Sequence, residues 1–493
     1  MPQRPNIVLI CADQMRWDCL SIAGHEACET PHLDFMAARG VRFTQAYTSV
    51  ASCIAARAAL LTGLSQRTHG RVGYRDGVTW DYPVTLPGEL GKAGYQTVCV
   101  GKMHVHPQRS KMGFEKVLLH DGFLSHYGKD IDSDYDRWLL AQAGSDCGLF
   151  DHGIACNGWV ARPWHLAEWM HPTYWAVSRG VEFLNQRDTT RPFFMFLSFV
   201  APHPPHVPPQ CYFDQYINQD LPAPPVGDWV DKIPRDAEQG RWNHQTQFGD
   251  LDKRALHRAQ AAYYGQITQI DHQIGRLVEH LAVHKLLTNT VLLFVSDHGE
   301  LLGDHHFFRK CAPYAGSVRV PMILHMPTGF SNFDHVGAGA NKVAGAQIEL
   351  GQTRDEVVEL RDIMPTLLDI AGAPVPECVE GRSVLPLVRG EKPKWREYLH
   401  GEHWYADLSN HFIVDGPYKY IWFSQIGLEQ LFDVAGDPME MNDLADSPAH
   451  QDMLAKMRRR LIRELTGREE GYTDGKKLIV GRQGGPLLSS VKG

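Results

Sequence analysis

Short, uniformly apolar runs separate longer segments of helical periodicity along most of the chain. Runs of this length, rich in β-branched and aromatic residues, are typical of strands buried on both faces. The predicted strands cover residues 6–12, 41–47, 96–101, 191–200, 290–295 and 318–325. A helix opens at residues 30–34, and further helices are predicted at residues 86–93, 173–185, 256–284 and 355–371. This alternation predicts an α/β fold with a large, doubly wound, mostly parallel sheet flanked by helices.

The pattern changes after Pro374 and Pro376, which interrupt the helical periodicity. Beyond them, short strands separated by turn residues are predicted at 412–414, 418–423 and 429–433, with a helix at 448–465. Such spacing predicts a small antiparallel sheet backed by one helix. We therefore expect an α/β domain at residues 1–375 and a smaller α+β subdomain at residues 376–493.

Two segments fit neither pattern and are expected to shape a pocket. Residues 113–157 are rich in glycine, aspartate and aromatic residues, and we predict an irregular excursion over the site. The stretch from His206 to about residue 250 is rich in proline and poor in apolar residues, so we place it at the surface.

Composition excludes some classes of partner. The chain has 493 residues and a net charge of −8, which gives no basic footprint for nucleic acid. No run of about 18 apolar residues is present, so no membrane span is predicted. The first apolar run is short and no cleavage site follows it, so we expect no signal peptide. The ten cysteines form no CxxC pair, which favours reduced thiols and a cytoplasmic location.

Residues 52–63 are predicted to form a turn that enters a short helix. Cys53 lies at the predicted helix start, where backbone N–H groups and the helix dipole favour a negative ligand. Arg57 lies one turn later on the same face, and Gly63 is a natural helix stop. A nucleophile, a guanidinium and an anion-binding helix end would then meet. The alternative is a small buried cysteine beside a surface arginine.

Polar residues follow the first and third predicted strands. Asp13 and Gln14 come directly after the first strand, at the edge of an α/β sheet where ligands bind. Asp13 is suited to holding a cation, although it could equally cap a helix. Lys102 and His104 share one face of an extended chain and can both face an anion. They are otherwise two solvated side chains at the end of a strand.

Two later strands end in the same way. His203 lies in a loop that three prolines restrict, near the carboxyl end of its strand. Asp297 and His298 follow the strand at 290–295, and the bend that Gly299 permits would let them share one ligand. Lys310 follows in a loop.

Together these motifs resemble the type I sulfatases of the alkaline phosphatase superfamily along nearly the whole chain. The matching segments are Cys-Ile-Ala-Ala-Arg at 53–57 with Leu-Thr-Gly at 61–63, Gly-Lys-Met-His at 101–104, Pro-His-Pro-Pro at 202–205, Ser-Asp-His-Gly-Glu at 296–300, Lys310, Arg-Val-Pro at 319–321, and the Leu-Phe-Asp to Asp-Leu segment at 431–444.

The resemblance implies a catalytic domain at residues 1–375 and a sulfuric ester hydrolase of arylsulfatase type. It implies that Cys53 is oxidised to formylglycine and hydrated, that one diol oxygen attacks sulfur, and that deprotonation of the other later expels sulfate. Charge develops on the sulfate oxygens and the leaving oxygen, and a divalent cation stabilises it.

The resemblance also assigns individual roles. The metal ligands are Asp13, Gln14, Cys53, Asp297 and His298. Most of these donors are oxygens, which suits Ca²⁺, while Mg²⁺ and Mn²⁺ stay open because Gln14 and His298 replace Asp and Asn of many relatives. Arg57 and Lys102 hold the diol, and His104 is the base for sulfate release. His203 and Lys310 protonate the leaving oxygen, and both bind sulfate together with Lys102.

Two residues depart from the family pattern. Ala55 replaces the proline of the Cys-x-Pro-x-Arg signature, which leaves open whether a relaxed or an anaerobic radical-type maturation enzyme modifies Cys53. Ala315 replaces a glutamate of many relatives. The implied partners are that maturation enzyme and a small-molecule or sugar sulfate ester, without nucleic acid or membrane; a homo-oligomer stays open.

Two other functions compete with this one. Phosphonate monoester and phosphodiester hydrolases of the same scaffold also use Asp-Gln and Asp-His pairs. They resemble a pattern with Tyr and Thr where this chain has Lys102 and His104. The third alternative is a non-catalytic protein that binds sulfated ligands.

Overall fold

The fold is described from a computed structural model that covers residues 4–122, 133–144, 147–234, 238, 242–327, 340–343 and 346–491. The strands are Asn6–Asp13 (β1), Gly40–Phe43 (β2), Ala46–Tyr47 (β3), Gln96–Gly101 (β4), Lys116–Leu119 (β5), Phe193–Pro202 (β6), Thr290–Ser296 (β7), Met322–His325 (β8), Ala340–Val343 (β9), Ala346–Glu349 (β10), Gln352–Arg354 (β11), Val358–Glu359 (β12), Leu399–His403 (β13), Asn410–Asp415 (β14), Tyr418–Phe423 (β15) and Glu429–Asp433 (β16).

Helices lie between most of these strands. They are Pro31–Ala38 (α1), Cys53–Thr62 (α2), Gln66–His69 (α3), Leu86–Lys92 (α4), Asp134–Ala143 (α5), Pro172–Gln186 (α6), Gln210–Ile217 (α7), Lys253–Val283 (α8), Ala315–Val318 (α9), Ile363–Ile370 (α10), Leu385–Val388 (α11) and Gln451–Leu465 (α12). Among the residues described, none of the helices combines the length and the apolar character needed to cross a membrane.

The large sheet has the strand order β11-β2-β8-β7-β1-β6-β4-β5. Strand β1 lies at its centre and pairs in parallel with both β6 and β7, so that Ile7 lies opposite Phe194 and Val291. Only β8 runs antiparallel to its neighbours β2 and β7. This mostly parallel sheet confirms the predicted α/β fold class, and it brings the carboxyl ends of β1, β4, β6 and β7 to one edge.

Alternate residues of the central strands enter two apolar cores. Ile7 and Leu9 of β1 pack with residues of α2, α4 and α10 on one face. Val8 and Ile10 pack with residues of α1, α6 and α8 on the other. Burial on both faces explains why these strands are apolar throughout instead of alternating.

The small antiparallel sheet has the order β13-β14-β15-β16. One face packs against α12 through residues such as Trp422 and Leu461. The other face packs against the large sheet's connections, where Phe432 lies in one cluster with Trp229 and Tyr314. The small sheet therefore borders the edge where the strands of the large sheet end.

Several predicted elements were wrong in detail. The predicted strand 41–47 is two separate strands, and the predicted strand 318–325 begins only at Met322, after the helical turn α9. The predicted helix 355–371 begins at Ile363, because Val358 and Glu359 pair with β3 instead. These differences come from pairing with distant residues, which local periodicity does not show.

The two segments that fitted no pattern also differ from expectation. Residues 113–157 contain the edge strand β5 and helix α5, so they are not irregular throughout; residues 123–132 and 145–146 of this segment lie outside the described residues. The proline-rich stretch is not confined to the surface. It contains α7 and the fully buried Trp229, whose Nε1 donates to the Glu440 carbonyl oxygen over 2.7 Å.

Candidate active site

Two buried carboxylates meet at the ends of the adjacent strands β1 and β7. Asp13 is the last residue of β1, and Asp297 directly follows β7. The backbone turns sharply after Asp13, since Gln14 has a φ of 72° and its N–H donates to Asp297 Oδ1 over 3.1 Å. Asp13 therefore serves the strand-end site and does not cap a helix.

Cys53 begins helix α2, as predicted, and its sulfur lies beside these carboxylates. The Sγ atom is 3.1 Å from His298 Nε2 and 3.7 Å from Asp13 Oδ1. Burial and the Asp13 charge oppose ionisation of the thiol, but Lys102, Lys310 and His298 outweigh them and hold the Cys53 pKa well below its usual value. The helix ends at Gly63, which has a φ of 68°.

Arg57 is fully buried, which rules out the alternative of a surface arginine. Its guanidinium donates to Asp297 Oδ2 over 2.9 Å, to Ser198 Oγ over 2.9 Å and to the Lys102 carbonyl oxygen over 2.7 Å. It therefore ties helix α2 to the ends of β4, β6 and β7. Burial lowers the Arg57 pKa, but the negative charge of buried Asp297 is the largest of the effects that outweigh it and raise the pKa.

Lys102 and His104 reach the site by a turn and not by an extended strand. His104 has a φ of 58°, and the N–H groups of Met103 and His104 both donate to Asp121 Oδ1, over 2.8 and 2.9 Å. The Lys102 ammonium contacts Asp13 Oδ2. Both residues are buried, so neither is a solvated side chain at a strand end.

His104 approaches Cys53 from one side and Asp76 from the other. Its Nε2 lies 3.3 Å from Asp76 Oδ1. Burial and the Lys102 charge work against protonation, but the hydrogen bonds to Asp76 and Cys53 outweigh them and raise the His104 pKa.

His203 and Lys310 form a second pair at the site. Lys310 Nζ donates to His203 Nε2 over 2.9 Å and to Gln14 Oε1 over 2.6 Å. The other His203 ring nitrogen, Nδ1, donates to the Pro204 carbonyl oxygen over 2.7 Å. Burial and the Lys310 charge lower the His203 pKa, which favours the neutral ring.

Four side chains offer donor atoms that all lie within 4.8 Å of one another, and they are Asp13, Cys53, Asp297 and His298. His298 Nδ1 donates to the Gly299 carbonyl oxygen over 3.0 Å, which leaves the Nε2 lone pair for a metal. Burial and the neighbouring Asp13 charge raise the Asp297 pKa. Two adjacent buried carboxylates with an imidazole are a donor set that fits a divalent cation.

Gln14 lies beside this group, with its side-chain amide held on both sides. Lys310 donates to its Oε1, and its Nε2 donates to Glu300 Oε2. Glu300 Oε1 also accepts from the Leu302 N–H over 2.9 Å, so the loop after β7 orients Gln14.

Four polar residues at the site were not assigned a role from the sequence. Asp76 and Ser198 lie in no matching motif, whereas Glu300 belongs to the Ser-Asp-His-Gly-Glu segment and offered a signal. His403, at the end of β13, brings the small sheet to the site. Burial and the charges of His298 and Lys310 lower its pKa to about 3.

Comparisons with known proteins agree with this geometry. The profile of the sulfatase family matches residues 5–373, and that of the N-sulphoglucosamine sulphohydrolase C-terminal region matches residues 343–466. An arylsulfatase of Clostridium perfringens is 48% identical over 97% of this chain and 98% of its own length.

Two further relatives carry other names. A multifunctional alkaline phosphatase superfamily protein of Trinickia caryophylli is 30% identical over 91% of this chain and 92% of its own. The crystal structure of a phosphonate monoester hydrolase of Agrobacterium radiobacter has the same fold, with a TM-score of 0.74, 24% identity and coverage of 93% and 95% of the two chains. By its motifs, its site and its relatives, the chain belongs to the sulfatase family.

Proposed function

We propose that this enzyme hydrolyses sulfate monoesters with a formylglycine made from Cys53. The observation that supports this most is the setting of Cys53, which lies at a buried helix start within 3.1 Å of His298 Nε2 and beside Asp13. When present, formylglycine supplies a hydrated aldehyde whose oxygen is a nucleophile toward sulfur. A plain thiol in this place offers no second hydroxyl with which to release the product.

The residues around Cys53 have separate roles. Some hold the oxygen atoms at residue 53, and one accepts the proton that residue 53 loses. Lys102 and Arg57 are buried cations that hold oxygen atoms at residue 53 and at the sulfate, where negative charge increases during the reaction. His104 accepts the proton that must leave residue 53 for sulfate release. Asp76, at 3.3 Å from His104 Nε2, stabilises the imidazolium that results.

Asp13, Gln14, Asp297, His298 and residue 53 would hold the divalent cation. The oxygen-rich donor set favours Ca²⁺ over softer metals, and Mg²⁺ and Mn²⁺ remain alternatives. When bound, the ion supplies positive charge that polarises the ester and acidifies a bound hydroxyl. The bond from Lys310 to Gln14 Oε1 orients that oxygen, and the His298 bond to Gly299 keeps its ring in the ligating tautomer.

Lys310 and His203 would bind sulfate and protonate the leaving oxygen as a pair. The proton resides on Lys310, because His203 Nδ1 is committed to the Pro204 carbonyl and its Nε2 accepts from Lys310. His203 can therefore hold the ammonium in place until Lys310 gives its proton to the leaving oxygen, and water then returns a proton to the pair.

The proposal also covers the domain organisation, the cellular location, the maturation partner and the substrate class. Residues 1–375 would form the catalytic domain and residues 376–493 the C-terminal subdomain, in a cytoplasmic enzyme that depends on a formylglycine-generating partner. Sulfated sugars and small sulfate esters are the substrate class, since a solved relative was crystallised with its substrate D-glucosamine-2-N,6-O-disulfate.

The proposal is tested with Cys53→Ala in a host that can carry out the maturation. We expect turnover of an aryl sulfate to be abolished while the fold is kept, because the substitution removes one sulfur and leaves no large cavity. The exposed Cys211 provides the matched control, and Cys211→Ser should keep full activity. Conversion of Cys53 to formylglycine replaces SH₂ by O, so the intact mass of the wild type should lie below the mass calculated from its sequence by that difference. A protein that keeps the full thiol mass and still turns over sulfate esters would disprove the role of formylglycine.

Phosphonate monoester hydrolysis is the second candidate. The Asp13-Gln14 and Asp297-His298 pairs favour it, and so do the names of the Trinickia caryophylli and Agrobacterium radiobacter relatives. Side-by-side kcat/KM on aryl sulfate and aryl phosphonate esters decides between the two. We expect sulfate to be preferred because Lys102 and His104 are present, and a tenfold preference for phosphonate would overturn the assignment.

A further inference from the structure

A second group of metal-binding side chains lies apart from the Cys53 site. Cys147, Asp151 and His165 offer a sulfur, a carboxylate oxygen and a ring nitrogen that lie within 4.8 Å of one another. All three belong to the long connection between α5 and α6. Cys147 and His165 are half-buried and Asp151 is exposed.

The side chains of Asp151 and His165 are both hydrogen-bonded to the backbone of Gly148, the residue after Cys147. The Gly148 N–H donates to Asp151 Oδ2 over 2.7 Å, which closes a turn and places Cys147 and Asp151 side by side. His165 Nε2 donates to the Gly148 carbonyl oxygen over 3.1 Å. The ring also packs against Trp164, with centroids 4.4 Å apart. One glycine thus ties together residues that are eighteen positions apart in sequence.

One nitrogen of the His165 ring keeps a lone pair. When Nε2 donates to Gly148, the other nitrogen, Nδ1, carries no proton. That atom is buried and has no hydrogen-bond partner among the residues that the structure describes. Burial also lowers the His165 pKa, so the imidazole is neutral and able to act as a ligand at neutral pH.

We propose that Cys147, Asp151 and His165 bind Zn²⁺, with a fourth position filled by water. A thiolate, an imidazole and a carboxylate are the ligands that zinc takes in proteins, whereas Ca²⁺ and Mg²⁺ avoid sulfur. Tetrahedral zinc places its ligand atoms roughly 3.5 Å apart, which small side-chain rotations from the present distances achieve. On binding, the Cys147 thiol loses its proton to solvent and no electrons are transferred.

The position of this site gives the metal a structural role. Four residues between Cys147 and His165 line a cavity of about 40 Å³ that His203 also lines, and they are Leu149, Phe150, His152 and Trp164. A zinc ion bound to both Cys147 and His165 would connect the two ends of the segment that lines the cavity. The metal would therefore fix one wall of the cavity beside the leaving-group pair and take no part in the chemistry.

Cobalt is the probe for this site, because a thiolate bound to Co²⁺ gives a charge-transfer absorption. The full-length chain carries Cys53→Ala, which removes the thiol of the other metal-type cluster. We expect this protein to show the thiolate–Co²⁺ band at one cobalt per chain and to lose it when Zn²⁺ is added. Adding Cys147→Ser should abolish the band, whereas adding Cys211→Ser should leave it unchanged.

Asp151→Asn provides a second test at an exposed position, because the amide oxygen can still accept from the Gly148 N–H and keep the turn while the carboxylate ligand is lost. We expect it to weaken Co²⁺ and Zn²⁺ binding by more than about tenfold, the size of effect known for groups that orient or supply a metal ligand. Unfolding curves in EDTA should match for all variants. Absence of the band in the parent protein, or its persistence after Cys147→Ser, would overturn the proposal.

Discussion

At the scale of the residue, burial decides which groups in the site carry a proton. His203 and Lys310 illustrate this, because the neutral ring accepts from the ammonium over 2.9 Å and burial keeps the His203 pKa low. The histidine alone is a weak proton donor here. With Lys310 it forms a unit that can give a proton to the leaving oxygen and take one back.

His203→Ala should therefore slow poor leaving groups more than good ones. General acid catalysis contributes about 10²–10⁴-fold, and a nitrophenol of low pKa hardly needs it. We expect alkyl and sugar sulfates to lose rate in this range and nitrophenyl sulfate to lose much less. The measurement is the rate ratio of wild type to variant against the pKa of the leaving group.

His206→Ala is the matched control for this series. His206 lies in the same loop and is also buried, but its Nδ1 pairs with Gln266 Oε1 at 3.1 Å and not with Lys310. Its effect should be equal for all esters. If the ratio of wild-type to His203→Ala rates is also independent of the leaving-group pKa, His203 only binds sulfate and Lys310 alone acts as the acid.

At the scale of the element, helix α2 carries Cys53 at one end and depends on Gly63 at the other. Gly63 has a φ of 68°, and a Cβ atom there would lie 2.7 Å from Val379 Cγ1. Its N–H donates to the Ala59 carbonyl oxygen over 2.9 Å, which closes the helix. The C-terminal end of the helix is therefore fixed by backbone conformation and by packing at once.

Gly63→Ala should lower the free energy of unfolding by both effects. The left-handed conformation costs a residue with a Cβ about 1–2 kcal/mol, and overpacking adds about 1–3 kcal/mol. Gly24→Ala separates the two, since Gly24 has a φ of 89° and nothing within 4 Å of the added atom. Urea unfolding should show the larger loss for Gly63→Ala, and equal losses would mean that Val379 moves aside freely.

Strand β13 is stabilised by a buried ion pair at its end. Glu402 accepts from Arg468 through both carboxylate oxygens, over 2.8 and 2.9 Å. Burial opposes ionisation, but the Arg468 charge outweighs it and lowers the Glu402 pKa to about 2. Because this folded pKa lies below the ordinary glutamate value of 4.5, the pair stabilises the fold above that pH and the effect is lost as the pH falls toward about 2.

Glu402→Gln should reduce the free energy of unfolding at pH 7 by about 3 kcal/mol, the equivalent of such a pKa shift. The difference from wild type should shrink between about pH 4.5 and pH 2, where the wild type loses the same charge. Urea unfolding at several pH values measures this. A difference that stays constant with pH would show that packing, and not charge, makes the contribution.

At the scale of the whole molecule, elements of both the large sheet region and the small four-stranded sheet cover Cys53. Cys53 is 1% exposed, since helix α2 is buried along its length and His403 approaches from the small sheet. The lowered thiol pKa would make Cys53 reactive, so access alone limits its chemistry in the folded chain. Under the proposed function, a maturation enzyme would therefore have to reach Cys53 before folding is complete.

Alkylation of unmatured protein tests this inference. Iodoacetamide should label the exposed Cys211 and Cys378 in the native protein and Cys53 only after unfolding in urea. Peptide mass mapping measures the labelling of each cysteine. Native labelling of Cys53 as fast as that of Cys378 would reveal an open path to the site and contradict the inference.

Local sequence patterns were enough to predict the central elements and the family. Strands β1, β4, β6 and β7 are apolar on both faces, and that local pattern suffices to locate them within a few residues. Helix α2 begins at Cys53, and Gly63 ends it, as the local sequence predicts. The motifs at the strand ends lie within short segments, so they could be matched in order and the sulfatase family was predicted correctly.

The contact partners of those residues could not be predicted in this way, because they depend on how distant segments pack. Three contacts depend on chain segments that are far apart in sequence and share no local pattern. They are Asp76 beside His104, His403 beside His298, and β12 against β3. The turns at Gln14 and His104 depend on contacts that force positive φ on residues other than glycine. The Cys147–His165 pairing has the same origin, because packing between distant segments selects it and periodicity along the chain does not.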